Sequence, residues 1–282
     1  MNAQPESLRL REVHGPSAVG GGWKRFGELL YLISVTEFKR TYFGTVLGYI
    51  WSLLRPLLLF AVLLFVFTKI VRLGSDVPHY PVLLLMNVVL FGFFSEATTT
   101  AVMSVVNQES VVRKTQFPRL VIPLSVVVTS LFNLAANLVV VLIFILAFGV
   151  TPQWTWLLFP LVLLVLFVFA TAISMLLSSL YVRFRDTAII WTVVAQALFY
   201  ATPVIYPIEK VPDQYRDLIL LNPLTPLFEQ ARKWVIDPDA PGAVSAAGGW
   251  THLLPAISLF VVGCALGAWY FNREAPRIAE EL

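Results

Sequence analysis

Between Arg119 and Arg183 the chain contains no Asp, Glu, Lys or Arg. A lipid-facing helix needs about 20 mostly apolar residues to cross the hydrocarbon core of a bilayer. The run is long enough for two such helices, and GVTPQW at 149–154 supplies the Gly/Pro break between them. Composition agrees: 58% of the 282 residues are hydrophobic and 13% are charged, against roughly 25% charged in an ordinary soluble domain. The expected class is an all-α integral membrane protein. Further apolar segments at 50–71, 82–106, 187–206 and 253–272 bring the expected spans to six.

Lys and Arg set the orientation. With the N-terminus on the cytoplasmic side, alternate connecting segments divide the twenty basic residues into fourteen inside and six outside, so both termini are expected in the cytoplasm. The formal net charge of +3 is then a matter of topology, and nothing in it points to nucleic acid. Residues 1–22 hold charges and GPSAVGGG but no apolar core, so no cleavable signal is expected and the segment reads as a flexible cytoplasmic tail. Residues 273–282 form a second one. The single cysteine, Cys264, falls in the last span and leaves no internal disulfide to form.

Ahead of the first span, residues 23–41 have the pattern of an amphipathic helix. Trp23, Phe26, Leu30 and Ile33 share one side and Lys24, Arg25 and Glu28 the other, as in a helix lying in the cytoplasmic interface with its aromatic side in the acyl boundary. Lys39, Arg40 and Arg55 follow, and Pro56 is placed to kink the first span. Headgroup anchoring accounts for these bases as well as ligand binding does.

Glu96 falls near the middle of the second predicted span, where an unpaired charge is costly, so it is expected to face protein or water. Thr100, Ser104 and Gln108 continue a polar stripe at steps of four. A proton relay and a structural, hydrogen-bonded carboxyl are both open. The loop 107–119 is short, charged and held by Pro118, and it is either a plain connector or an element that seats in a partner.

Enzyme signatures are absent from the sequence. There is no GxxxxGK[ST] phosphate loop, no Gly-rich dinucleotide turn and no HExxH, and His14, His79 and His252 are scattered. No metal or cofactor site is expected in the chain. Any energy would come from a partner or an ion gradient.

The order TVLGYIWSLLRPLL, FFSEA, VVRKTQFPRLVIPLS, YVRFRDTAIIWTVVAQALFYATPVIYP, LLNPLTPLFEQAR resembles the membrane subunit of bacterial ABC exporters for lipid-linked polysaccharides, the O-antigen (Wzm) and teichoic acid (TagG) type. The likeness covers about residues 23–272. Ala201 and Thr202 depart from it mildly, standing where a small residue and Ser are expected before Pro203.

The resemblance implies a multi-pass homodimer in the bacterial plasma membrane, bound to two copies of a separate ATPase that holds ATP and Mg. Its cargo would be a polyprenyl-pyrophosphate-linked polysaccharide. It makes the loop between spans two and three the coupling element, here Glu109, Arg113, Lys114, Phe117 and Pro118. It lines a channel with aromatic residues of spans one and five, here Tyr49, Trp51, Phe60, Trp191, Phe199 and Tyr200. Aromatic faces pack on the apolar faces of sugar rings without fixing one register, although lipid or core packing would equally account for any one of them. Near the entrance it makes Lys39, Arg40 and Arg55 candidates for pyrophosphate contacts.

It also accounts for 201–236, which begins apolar, meets prolines and charges, and is broken by NPLTP before it could cross. The family places two short re-entrant gate helices between spans five and six, within 207–250, with Pro203, Tyr206, Pro207, Asn222, Pro223 and Arg232 as the gate residues here. Arg outnumbers Lys fourteen to six, and Ala and Val are abundant, which favours an actinobacterial galactan as cargo over O-antigen or teichoic acid. The competing reading is a proton-coupled secondary transporter using Glu96. A membrane glycosyltransferase fits less well, because the acids Glu209, Asp213, Asp217, Glu229, Asp237 and Asp239 fall on the side away from nucleotide sugars.

Overall fold

A computed structural model describes residues 23–42, 48–72, 77–109 and 118–276. Arg113, Lys114 and Phe117 of the expected coupling element lie outside these residues, as do both expected tails apart from 273–276. The described chain is helical: α1 (Trp23–Tyr42), α2 (Ile50–Phe65), α3 (Tyr80–Val102), α4 (Ser104–Asn107), α5 (Val121–Ala147), α6 (Phe159–Arg183), α7 (Thr187–Ala201), α8 (Asp213–Leu220), α9 (Leu224–Val235), α10 (Ala243–Ala246) and α11 (Trp250–Glu274). A π-helical turn, Val66–Ile70, prolongs α2, and 3-10 turns at Trp154–Leu158 and Ile208–Lys210 precede α6 and α8.

Five of these helical stretches are long and apolar enough to cross a membrane: 50–70, 80–102, 121–147, 154–183 and 250–274. The fifth expected span, 187–206, is shorter than the sequence implied. It ends at Ala201 rather than near 206, and its 15 residues rise only about 22 Å at 1.5 Å per residue.

The chain is built around α3, 78% of whose spanning window is buried, whereas only 6% of the window in 50–70 is. Helices α2, α5, α6 and α7 all pack against α3. This explains why α3 is apolar on every side while α2 keeps an open face. Phe94 illustrates the packing: its ring stacks on Phe169 of α6 at 5.7 Å and meets Trp191 of α7 edge-on at 6.4 Å. Helix α11 packs on α6 through glycine. A Cβ at Gly267 would collide with the carbonyl of Ala172, so the two backbones approach as closely as small residues allow.

Pro56 lies inside α2, where it can neither donate to the carbonyl of Ser52 nor avoid crowding it. Asn137 of α5 takes up that acceptor, its Nδ2 lying 3.2 Å from the Ser52 oxygen. The acceptor freed by the proline is thereby satisfied from a neighbouring helix.

Helix α1 corrects one expectation. Phe26, Leu29, Leu30 and Ile33 pack against Val105, Val121, Ile122 and Val182, so the side assigned to the acyl boundary is covered largely by protein. Thr129 donates to the Ser34 carbonyl at 3.2 Å and Phe38 meets Phe132 at 5.8 Å, so α1 climbs alongside the first half of α5 in the same direction. Trp23 alone of the four named residues is exposed. A one-sided apolar pattern specifies that a face is buried but not whether lipid or protein buries it.

The far end of α11 returns to this region. Phe271 and Ala275 pack with Met175 and Leu120, and Leu120 also touches the group around Phe26. The first and last described helices therefore meet at one end of the bundle, called here the terminal end.

Candidate functional site

Two polar groups stand apart from the apolar bundle. The first lies toward the terminal end, where α2 begins. Glu96 of α3 accepts from Asn133 Nδ2 at 2.6 Å, Tyr49 reaches the Phe132 carbonyl at 3.4 Å, and Asn137, one turn beyond Asn133, holds Ser52. Glu96 is therefore level with the start of α2 and, through Asn133, with the middle of α5. Below it the polar stripe continues in part: Ser104 bonds the carbonyl of Ala101, and Gln108 donates to Glu37 of α1 at 3.3 Å, while Thr100 is exposed.

Lys39, Arg40 and Arg55 border this group and are all exposed. Arg40 lies 3.5 Å from Glu37 in an exposed pair of little energetic weight. The end of α1 is joined to the start of α2 by the contact of Phe38 with Tyr49 at 5.1 Å, which brings the basic residues of both helices to one region. Of the coupling residues, Pro118 is buried and caps the entry to α5 through its carbonyl, which accepts from Val121 at 3.1 Å; Glu109 is half-buried.

The second group is the re-entrant segment at the opposite end. Helix α7 stops at Ala201, and Thr202 to Pro207 continue in the same direction as a non-helical path beside α3. Exposed carbonyls at membrane depth would be costly. Here α3 supplies the donors: Asn87 Nδ2 lies 2.9 Å from the Pro203 oxygen, and the Tyr80 hydroxyl donates to the Ile205 carbonyl at 2.8 Å. Asn222 ties the turn before α9 to the same path, its Nδ2 donating to Thr202 Oγ1 at 2.7 Å while its Oδ1 accepts from Leu224 at 3.0 Å. The Tyr206 hydroxyl donates to the Tyr200 carbonyl at 2.8 Å, and the Pro207 carbonyl accepts from Lys210 at 3.0 Å. Pro223 sits at the start of α9. Arg232, on the same helix, is buried against Glu209, with Nη1 2.8 Å from its nearer oxygen.

The described chain thus combines five helices long and apolar enough to cross a membrane with a shorter apolar helix and a non-helical path leading to two short helices. The profile of the family described as ABC-2 type transporter matches residues 28–235. The chain belongs to the ABC-2 type transporter family.

Similar curated proteins cover nearly the whole of this ABC-2 transporter chain. It is 33% identical over 248 residues to an O-antigen export system permease protein, RfbA, of Myxococcus xanthus, covering 87% of this chain and 93% of that one. It is 29% identical to an RfbA of Klebsiella pneumoniae, covering 90% and 95%. To the polysialic acid transport protein KpsM of Escherichia coli it is 25% identical, covering 83% and 90%.

The structure separates the six aromatic candidates of this ABC-2 chain. Trp51 and Tyr200 are open, 49% and 59% exposed. Tyr49, Trp191 and Phe199 are half-buried, with Trp191 Nε1 donating to Thr98 at 3.0 Å and Phe199 meeting Phe91 at 5.3 Å. Phe60 is a correction. It is 5% exposed and set edge-on against Phe144 at 5.6 Å, filling the space between α2 and α5 rather than facing an opening. Sequence reasoning missed Tyr80, Asn87, Asn133 and Asn137. Their only signal was an amide or phenol inside an otherwise apolar run, where an unpaired polar group is disfavoured.

Proposed function

We propose that this chain is the permease subunit of an ATP-driven exporter of a lipid-linked polysaccharide. The similarity that carries the reading extends over about nine-tenths of the chain, to proteins named for O-antigen export and polysialic acid transport. Two copies would enclose a passage between their open faces, and two copies of a separate ATPase would bind ATP and Mg and press on the segment 109–118. The chain would sit in the bacterial plasma membrane with both termini cytoplasmic, and cargo would leave at the re-entrant end.

The site residues divide along that route. Lys39, Arg40 and Arg55 would meet the pyrophosphate of a polyprenyl-linked glycan as charge-assisted donors. Trp51 and Tyr200, with the half-buried Tyr49, Trp191 and Phe199, would present ring faces to the sugars. The segment 207–236, anchored through Asn87, Tyr80 and Asn222, would close the outer mouth against ions. As to cargo, O-antigen-like polymers have the support of the relatives' names, while the galactan reading rests on residue usage alone. The hydrogen bond from Asn133 to Glu96 supports a structural carboxyl tying α3 to α5, which favours the exporter over a transporter that uses Glu96 as a proton site.

The test is depletion of the chain in its own host. A lipid-linked glycan should accumulate on the cytoplasmic side, identifiable by mass spectrometry, and the chain should co-purify with a phosphate-loop ATPase. Unchanged surface polysaccharide together with no ATPase in the purified complex would overturn the reading.

A further inference from the structure

The segment between α7 and α11 contains six acidic residues that no sequence motif connects: Glu209, Asp213, Asp217, Glu229, Asp237 and Asp239. Folding gathers three of them round one cation. Arg232 is 5% exposed, and its Nη1 donates to both oxygens of Glu209, at 2.9 and 2.8 Å. The same nitrogen lies 3.6 Å from Glu229 Oε2, and Nη2 lies 3.7 Å from Asp237 Oδ2. Glu229, one turn earlier on α9, is 2% exposed. Its Oε1 accepts from the Ile208 N–H at 3.0 Å, while its Oε2 has no hydrogen-bond partner. The ties from Arg232 to Glu209 and from Glu229 to Ile208 both join α9 to the short turn Ile208–Lys210, which ends the non-helical path from Thr202. One guanidinium cannot neutralise three carboxylates, and removing charge from water without full pairing is unfavourable.

We propose that Glu209, Glu229 and Arg232 form a latch holding the turn at 208–210 against α9, with Glu229 the member through which protons at the outer face set its strength. The proposal rests on reading 207–236 as the outer gate. Among the described residues, no ion pair joins Glu229 to a cation other than Arg232. Lys233 is committed to the Ala240 carbonyl at 3.2 Å, and Arg216 of α8 to Asp213 at 3.3 Å. Lys210 and Asp239 are exposed, as are Tyr215 and Asp217 on α8. The turn Trp154–Leu158, helix α10 and the half of α6 nearest α9 contain no ionisable side chain. On α3, the Tyr80 hydroxyl is held by Ile205.

Burial raises the Glu229 carboxyl from 4.5 to about 7; the charge of Arg232 opposes the rise and that of Glu209 adds to it. A carboxyl raised in the closed latch holds its proton more tightly there than in an opened, hydrated one. The closed form is therefore favoured most below pH 4.5, loses that advantage as pH rises through about 7, and changes little above. Between pH 5.5 and 7.5 the closed-to-open ratio should fall roughly twentyfold.

The test uses the full chain with its ATPase in proteoliposomes, in a Cys264→Ala background carrying Ile208→Cys as a reporter. A membrane-impermeant maleimide reads exposure of position 208 from outside. Labelling, divided by the rate for free cysteine at the same pH to remove the thiol's own ionisation, should rise between pH 5.5 and 7.5, and Glu229→Gln should hold it low at both. Glu209→Gln, at a half-open position that tolerates change, should raise it at both. Labelling that is indifferent to pH, or that rises on acidification, would overturn the latch. The reading is independent of cargo: a pH-indifferent chain that still exports polysaccharide refutes the latch and leaves the exporter standing, whereas a pH-responsive chain that exports none does the reverse.

Discussion

Asn87 of α3 donates its side-chain amide to the carbonyl of Pro203, 2.9 Å away, where the chain leaves α7 and can no longer satisfy its own backbone. The truncated span and the re-entrant segment depend on that relationship, because helix ends at membrane depth need donors from elsewhere. Asn87→Leu should therefore cost about 1 to 3 kcal/mol through the orphaned carbonyl. Thermal unfolding in nanodiscs checks it, with Tyr80→Phe lowering the midpoint further; an unshifted midpoint in both would deny the anchoring.

Phe60 and Tyr200 were grouped by sequence and separated by packing. Phe60→Ala should destabilise the chain by about 3 to 5 kcal/mol, as removal of a buried ring does. Tyr200→Ala should leave stability within about 0.5 kcal/mol and slow export. Paired measurements of melting and of polysaccharide at the surface separate a core ring from a passage ring, and equal stability losses would refute the distinction.

Pro56 and Asn137 should prove energetically coupled. With Pro56 present, Asn137→Leu removes the donor to Ser52; in a Pro56→Ala chain the helix supplies its own N–H and the loss should matter less. A double-mutant cycle is expected to show an interaction of about 0.5 to 3 kcal/mol. Strict additivity would mean that the 3.2 Å contact does not compensate the proline.

Gly267 and Gly263 are one turn apart on α11 and should respond differently to Ala. At Gly267 the new methyl group meets the backbone carbonyl of Ala172, while at Gly263 it meets the edge of the Phe169 ring at 3.2 Å. Backbone cannot step aside as a side chain can. Gly267→Ala should cost about 1 to 3 kcal/mol by overpacking and reduce the yield of folded protein, whereas Gly263→Ala should be nearly silent by size-exclusion profile and melting.

Neutralising Lys39, Arg40 and Arg55 together to Gln should slow export without loss of folding, since all three are exposed. Normal export from a stably assembled complex would reduce them to headgroup anchors.

Much of the architecture was legible because membrane helices are specified by local composition. The charge-free run up to Arg183 and the break at GVTPQW yielded α5 and α6, and NPLTP marked a real interruption, whereas α2 continues through Pro56. The helix ends near Pro203 and Asn222 were legible for the same reason, through proline and a turn-forming amide. The carboxylate cluster was not. Glu209, Glu229 and Asp237 are separated in sequence, and nothing local announces that Arg232 brings them together. That Glu96 lies level with the start of α2 was not legible either, because residue counting within one helix cannot show how its neighbours are offset.

The sequence by itself determined that the chain is a multi-pass helical membrane protein and where most of the breaks between its apolar helices fall, because hydropathy, proline and chain length act within a single segment. Only the tertiary structure decided which apolar faces meet protein, as for α1 and Phe60, and which polar groups complete one another, as Asn87 does for Pro203 and Asn137 for Ser52. Those outcomes depend on the relative height and rotation of separate helices. That registry is set by close packing between surfaces far apart in the chain, which no single stretch of residues encodes.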